Sequence, residues 1–250
     1  MAVARARPDG YTILLSGTLP HINEALLKSH PIYDPVKDLD PVSALAANVL
    51  CIAVHPAMPV QTLHELVAYA RANPGKLSYG HAGTGSIQHL AGELFKSLAG
   101  GLEIAPVPYR GTGPVITDLI GGQIPMGTPG VTGQVLELHR SGKIRVLAVT
   151  GFKRLAAAPD LPTASELGFP GLTVTGSIGV LAPAGTPREV IQQIATATRT
   201  TVAEPAFQQM LIEAGIEPTL DSDPEKFRQS LAADIALWRP IVQSLGLKIN

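Results

Sequence analysis

One stretch, residues 76–95, restricts the fold more than any other part of this chain. Leu77 and Tyr79 take the alternating positions of a short strand, Gly83-Thr84-Gly85-Ser86 forms a tight turn, and from Ile87 the apolar residues Leu90, Ala91, Leu94 and Phe95 recur at helical spacing. The glycines admit backbone angles closed to other residues, and the hydroxyl residues between them suit a helix cap. Such a turn directs free backbone N–H groups, the Thr84 and Ser86 hydroxyls and the positive end of a helix at one spot, which attracts a carboxylate or a phosphate. The same residues also serve as an ordinary strand-to-helix connection with small side chains for packing, and short glycine patterns match often by chance.

Similar units flank this one. Pro8-Asp9-Gly10 is a turn signal feeding Tyr11-Thr12-Ile13-Leu14-Leu15, a strand rich in β formers, which ends on Ser16-Gly17-Thr18. His21 opens a short helix carrying Ala25, Leu26 and Leu27, and residues 42–55 form an apolar run read as two extended segments bent near 46–48. Thr62 and Glu65 have capping-box spacing for a helix from Leu63 to about Ala72, stopped by Asn73-Pro74-Gly75. Beyond the central unit the pattern predicts a strand over 104–108, a helix capped by Thr112, a short strand over 123–128, a helix over 131–140 and a strand over 145–150. A brief helix near 164–168 and an extended segment over 172–182 follow. Thr186, Pro187 and Glu189 have the spacing of a cap, first position and closing acid, and helices are expected at about 188–203 and 205–214. Asp223 caps the last helix, which carries Phe227, Leu231, Ile235 and Trp238 as an apolar stripe.

Alternating strands and helices predict an α/β architecture. Two long extended runs, 49–55 and 174–182, bracket a middle block with its own α/β pattern. A chain that leaves one lobe, builds a second and returns makes two lobes joined by a two-stranded hinge. The expected division is 1–53 with 173–250 as lobe 1, and 54–172 as lobe 2. Clefts between lobes are common ligand sites.

Charge excludes several functions. The chain has 19 Lys and Arg against 20 Asp and Glu, a net charge of −1, with no basic run or stripe. Nucleic acid and anionic membrane surfaces are therefore not expected partners. No apolar run approaches the ~20 residues that span a bilayer, so direct membrane insertion is not expected. The lone Cys51 permits neither an internal disulfide nor a cysteine-based metal cluster. Residues 1–7 lack the apolar core of a signal peptide, and opening on a turn that feeds a strand leaves the expected preceding element out, so an N-terminally truncated chain is inferred.

No catalytic constellation emerges, and no metal or cofactor is expected. Gly83-Thr84-Gly85-Ser86 is not a P-loop, since no Lys follows the last glycine. The glycine order from Gly80 to Gly85 does not fit the dinucleotide fingerprint, and Gly85-Ser86-Ile87 lacks the hydrolase elbow. His81 and His89 flank the turn eight residues apart, which is no metal spacing, so His89 reads as hydrogen-bonded or solvent-facing. Neutral hydroxyls and amides suit binding rather than turnover.

The ordered set of motifs resembles the extracytoplasmic solute receptors of tripartite tricarboxylate transporters, the Bug proteins. The stretches that carry the resemblance include Pro8-Asp9-Gly10-Tyr11-Thr12-Ile13-Leu14, Tyr33-Asp34-Pro35, Asn73-Pro74-Gly75-Lys76-Leu77-Ser78-Tyr79, Ala82-Gly83-Thr84-Gly85-Ser86, His89-Leu90-Ala91-Gly92-Glu93-Leu94-Phe95, Val107-Pro108-Tyr109-Arg110-Gly111 and Ala182-Pro183-Ala184-Gly185-Thr186-Pro187. The resemblance implies a type II periplasmic-binding-protein fold that closes on a small carboxylate and delivers it to membrane transporter subunits, in the periplasm. By the same resemblance the ligand contacts are Ala82, Gly83, Thr84, Gly85, Ser86 and His89 on the turn, with Thr18, Thr128 and Ser177 at cleft positions.

Thr128 stands where the family commonly has an acid, Gly127 where an aromatic is usual, and Ser177 where a Trp is common. These departures predict a wider pocket. The missing export signal leaves an alternative open: a cytosolic carboxylate sensor or enzyme that reuses the same lobes.

Overall fold

The computed structural model describes residues 2–244 and 246. The chain divides into two compact units: Met1–Ala47 with Gly176–Ile212 and Glu217–Asn250, and Asn48–Thr175 with Glu213–Ile216. In chain order the elements begin with β1 (Leu14–Gly17), α1 (Leu19–Ile22) running into a π-helical turn (Asn23–Leu27), β2 (Leu39–Val49), β3 (Cys51–Val54) and α2 (Leu63–Ala72). The middle of the chain holds β4 (Leu77–His81), α3 (Ile87–Leu98), β5 (Ile104–Pro108), α4 (Thr112–Ile120), β6 (Met126–Gly127), α5 (Gly133–Arg140) and β7 (Arg145–Val149). The chain closes with β8 (Thr175–Pro183), α6 (Arg188–Ala203), α7 (Pro205–Glu213), β9 (Glu217–Pro218) and α8 (Pro224–Ser244).

The second unit is built on a five-stranded sheet in the order β5-β4-β6-β3-β7. β4 pairs parallel with both β5 and β6, while β3 pairs antiparallel with β6 and β7. The chain leaves β4 through α3 and returns beside it as β5, then crosses through α4 to the opposite side of β4 as β6. Connections therefore diverge at the C-terminal end of β4, the kind of switch point where open α/β sheets bind ligands. Cys51, Ala53, Val115, Leu119, Val131, Val135 and Val149 are fully buried members of the core under β3. On the other side Gly92 lets α3 press against β4, since a Cβ there would lie 2.2 Å from the Tyr79 ring.

The first unit has a four-stranded sheet in the order β1-β8-β2-β9, with β1 antiparallel to β8 in the register Leu14↔Leu181 through Gly17↔Ile178. The expected stripe of α8 is buried in full: Phe227, Leu231, Ile235 and Trp238, with Val242 continuing it. A buried side chain of this size stabilises by about 1.5–3 kcal/mol, so this face holds the helix to the sheet. Phe227 packs with Leu39, Ala44 and Leu181. The close approach is made at Gly179, where a Cβ would lie 2.5 Å from the Phe227 ring and 2.7 Å from Ser43 O.

Several local expectations shift. The first strand begins at Leu14 rather than Tyr11, because Tyr11–Ile13 lie outside the register with β8, and Tyr11 is 93 % exposed. The long apolar run breaks at Leu50, which makes an isolated bridge to Gly130. Residues 164–168 form turns rather than a helix, and the strand expected over 123–128 shortens to Met126–Gly127. α2 and α8 carry their expected caps, with Glu65 N–H donating to Thr62 Oγ1 at 3.2 Å and Lys226 N–H to Asp223 Oδ1 at 2.8 Å. Two caps fail. α4 is capped by Gly111 (φ +139°) and Thr112 is its first helical residue, accepting from Gln88 Nε2 at 2.7 Å. α6 starts after Pro187, and the Thr186 hydroxyl donates backward to Pro183 O at 2.7 Å.

Candidate functional site

The turn 82–86 lies at the C-terminal end of β4, where the switch point places it. Gly83 (φ +119°) and Gly85 (φ +77°) occupy backbone conformations that L side chains rarely adopt, so the turn needs glycine at both positions. Ser86 caps α3, its hydroxyl accepting from His89 N–H at 3.1 Å. Ser86 N–H closes the turn on Gly83 O at 3.0 Å, and Gly85 N–H donates to His89 Nδ1 at 3.2 Å. Among the described residues this leaves the N–H groups of Gly83, Thr84, Ile87 and Gln88 without an acceptor in the chain. Thr84 is exposed, Ala82, Gly83 and Ser86 are half-buried, and Gly85 is buried. The arrangement offers unpaired donors and the positive end of a twelve-residue helix to an anion. The N-terminus of α4 is joined to that of α3 through the bond between Gln88 and Thr112.

Two histidines hold the turn from beneath. The rings of His81 and His89 stack with centroids 4.3 Å apart and planes 24° apart. His81 Nδ1 is 2.9 Å from Gly83 O, so it carries the proton and donates, whereas His89 Nδ1 accepts from Gly85 N–H and its proton sits on Nε2. Both rings are buried and neutral. Burial, then the neighbouring His89, pushes His81 down to about 4, and burial lowers His89 as well. What the turn offers an anion is therefore amides rather than a cationic ring. Tyr79 supports the pair from below, its hydroxyl donating to His89 O at 3.1 Å and Glu93 Oε1 at 2.8 Å. Burial and Glu93 raise its phenol well above the ordinary range. Lys96 in turn pairs with Glu93 at 2.8 Å. The sequence singled out His89 but gave His81 no role. Its signal is position, as the last residue of β4, two before the carbonyl it binds.

Thr128 follows β6 next to this turn. It is fully buried, and its hydroxyl donates to Gln88 O at 2.8 Å, tying the first turn of α3 to the sheet. At Gly127 a Cβ would meet Val115 Cγ1 at 3.3 Å and Gly80 O at 3.4 Å. Gln88 Oε1 is buried beside these groups without a hydrogen-bond partner among the described residues.

Thr18 and Ser177 belong to the first unit and stand together there. Thr18 N–H donates to Ser177 O at 2.9 Å where β1 ends beside β8. Thr18 is 1 % exposed, and Ser177 is half-buried with its hydroxyl 3.4 Å from that of Ser230 on α8. The carboxyl of Asp234, one turn further along α8, lies beside the Thr18 hydroxyl. Burial pushes this acid up to about 6, with Thr18 acting in the opposite direction. Neither Ser230 nor Asp234 was singled out from the sequence, although their i, i+4 spacing puts both on one face of a predicted helix.

Among the described residues no group of three His, Cys, Asp or Glu is placed to hold a metal ion, and no helix is long and apolar enough to cross a membrane. Burial pushes the Cys51 thiol up to about 12, so it carries no thiolate chemistry at neutral pH.

Known proteins resemble this chain along its whole length. Protein BugT of Bordetella pertussis is 32 % identical over 251 residues, covering 100 % of this chain and 76 % of its own. The structure of R. palustris Rpa4515 with adipate superposes with a TM-score of 0.84 at 33 % identity, covering 99 % of this chain and 82 % of that one. MatC (Rpa3494) from Rhodopseudomonas palustris with bound malate gives a TM-score of 0.80 at 27 % identity, covering 96 % and 82 %. These likenesses show the periplasmic-binding-protein fold of two α/β units expected from the motifs. The pattern of the tripartite tricarboxylate transporter family receptors matches residues 1–247, and with the amide-lined turn at the head of α3 the chain belongs to that receptor family.

Proposed function

We propose that the chain is a periplasmic solute receptor that captures a small organic carboxylate without transforming it and delivers it to a tripartite transporter in the membrane. The observation that carries this reading is the set of unpaired N–H groups of Gly83, Thr84, Ile87 and Gln88 at the mouth of α3, beside two histidines that stay neutral. Amides fixed by such a turn complement a carboxylate without inviting proton transfer. Family membership supports the transport role, and the adipate and malate bound to two of the relatives support the ligand class. Thr128 and His89 act in this reading by holding the first turn of α3 and Gly85 in place, while Thr84 and Ser86 lie nearest the solute.

Isothermal titration calorimetry with adipate, malate and the uncharged adipamide tests the proposal. The two carboxylates are expected to bind and the diamide is not. Binding of adipamide as tight as that of adipate, or no heat from any carboxylate across a panel of mono-, di- and tricarboxylates, overturns it. A reading as a cytosolic sensor or enzyme has no observation in its favour at this site.

A further inference from the structure

The surroundings of the glycine turn in the second unit are almost free of charge. Residues 77–92 carry β4, the turn and the head of α3, and residues 104–117 carry β5 and the head of α4. Within these two segments Arg110 is the one Asp, Glu, Lys or Arg, and the two histidines are neutral. Charges just beyond are already engaged. Glu93 pairs with Lys96 at 2.8 Å, and Asp118 accepts from the Tyr109 hydroxyl at 2.7 Å.

Arg110 stands beside the turn. β5 runs parallel to β4 with Pro108 opposite His81, so the chain leaves both strands at the same end of the sheet. Tyr109 N–H donates to His81 O at 2.9 Å, and Tyr109 O lies 3.5 Å from where a Gly83 Cβ would be. On the other side of Arg110, Thr112 accepts from Gln88 Nε2 at 2.7 Å. The Arg110 side chain itself is exposed and makes no ion pair or hydrogen bond among the described residues. Amides and a helix end act as dipoles, whose pull fades within about a turn of helix. A formal charge reaches out to the Debye length, about 10 Å at 0.1 M salt.

We infer that Arg110 recruits the solute: its charge draws carboxylates in toward the turn and speeds their association, while the amides hold them once bound. This rests on the proposed carboxylate capture at the turn.

Calorimetry gives Kd, line shapes of carbon-13-labelled solute give koff, and koff/Kd gives the association rate. Adipate carries two negative charges, and hexanoate carries one on a chain of equal length. At about 10 mM ionic strength, where charges act over about 30 Å, Arg110→Gln should slow adipate association about fourfold and hexanoate association about twofold. Dissociation should change by less than about 1.5-fold. At about 1 M salt, where the range shrinks to about 3 Å, the differences should vanish. Arg110→Lys should keep the wild-type rate, because a point charge suffices for recruitment, whereas a forked contact to bound carboxylate is lost with Lys. Lys143 is also exposed, but it precedes β7 at the opposite end of the sheet, three strands from β4. Lys143→Gln removes the same charge and should alter neither rate. Faster dissociation with unchanged association in Arg110→Gln makes the residue a contact and overturns the inference. So does a slowing that persists at high salt or that Lys143→Gln reproduces. Adipate binding to the wild-type chain and Arg110→Gln at one rate overturns this inference alone. No heat from any carboxylate of the panel overturns carboxylate capture together with it.

Discussion

At the residue scale, the turn depends on two glycines whose backbone no other residue adopts cheaply. Gly83 has φ +119° and Gly85 φ +77°, and around Gly83 a Cβ would meet nothing nearer than Tyr109 O at 3.5 Å. The obstacle at Gly83 is thus backbone strain rather than space. Gly83→Ala should cost about 1–3 kcal/mol of stability and weaken carboxylate binding, because relaxing φ rotates the Gly83 and Thr84 amides away from their common aim. Gly185→Ala is the control: it has φ +82° and open space around a Cβ, but sits in the first unit, before α6. It should lower stability by a similar amount and leave adipate affinity unchanged. Urea denaturation and calorimetry on the two variants separate strain from site geometry. Retained affinity in Gly83→Ala removes the amides from the binding argument.

At the scale of the element, α3 is fixed at both its end and its face. Ser86→Ala removes the cap and should cost about 1 kcal/mol. Gly92→Ala should cost more, in the range of about 1–3 kcal/mol or beyond. Its Cβ would lie 2.2 Å from a Tyr79 ring that cannot swing aside, tied as it is to His89 O and Glu93. The helix must then move off β4 and carry the turn with it, so adipate affinity should fall alongside the urea midpoint. A Gly92→Ala chain of unchanged midpoint contradicts this locking. How far such elements were legible depends on how local their causes are. The caps of α2, α3 and α8 and the α8 stripe follow from neighbours a few residues apart, and they were readable. Thr112 and Thr186 have equally good local spacing and cap nothing. Gln88, 24 residues from Thr112, claims its hydroxyl, and Pro183 O claims that of Thr186. In the same way the glycine turn could be read from its own residues, whereas the meeting of Thr18 with Asp234 joins positions far apart in the chain and has no sequence signal.

At the scale of the whole molecule, the buried titratable groups divide unevenly between the two units, and this sets how acid acts on each. His81 is held at about 4 by burial and by His89, and His89 is lowered too. A histidine whose folded pKa lies below its unfolded value of 6.5 takes up protons more readily when unfolded. Its contribution is therefore complete above pH 6.5 and is lost as pH falls toward 4. Between pH 7 and 5 the loss from His81 is about 2 kcal/mol by linkage, and His89 adds to it in the same direction. The first unit carries an opposed pair. His21, pushed down to about 4 mainly by burial, loses a similar amount. Asp234, raised to about 6 by burial, binds its proton more readily when folded, so it stabilises increasingly as pH falls from above 6 toward 4. It returns about 1 kcal/mol over the same interval. Acid should accordingly loosen the unit that holds the glycine turn before the one that holds α8. Hydrogen exchange read by mass spectrometry, corrected for intrinsic rates, should show protection of peptides over 77–108 falling more steeply from pH 7 to 5 than that of peptides over 224–242. Asp234→Asn should remove the compensation and bring the two slopes closer together. Equal slopes in the wild-type chain, unchanged by that substitution, would mean that these four buried groups do not govern the acid response.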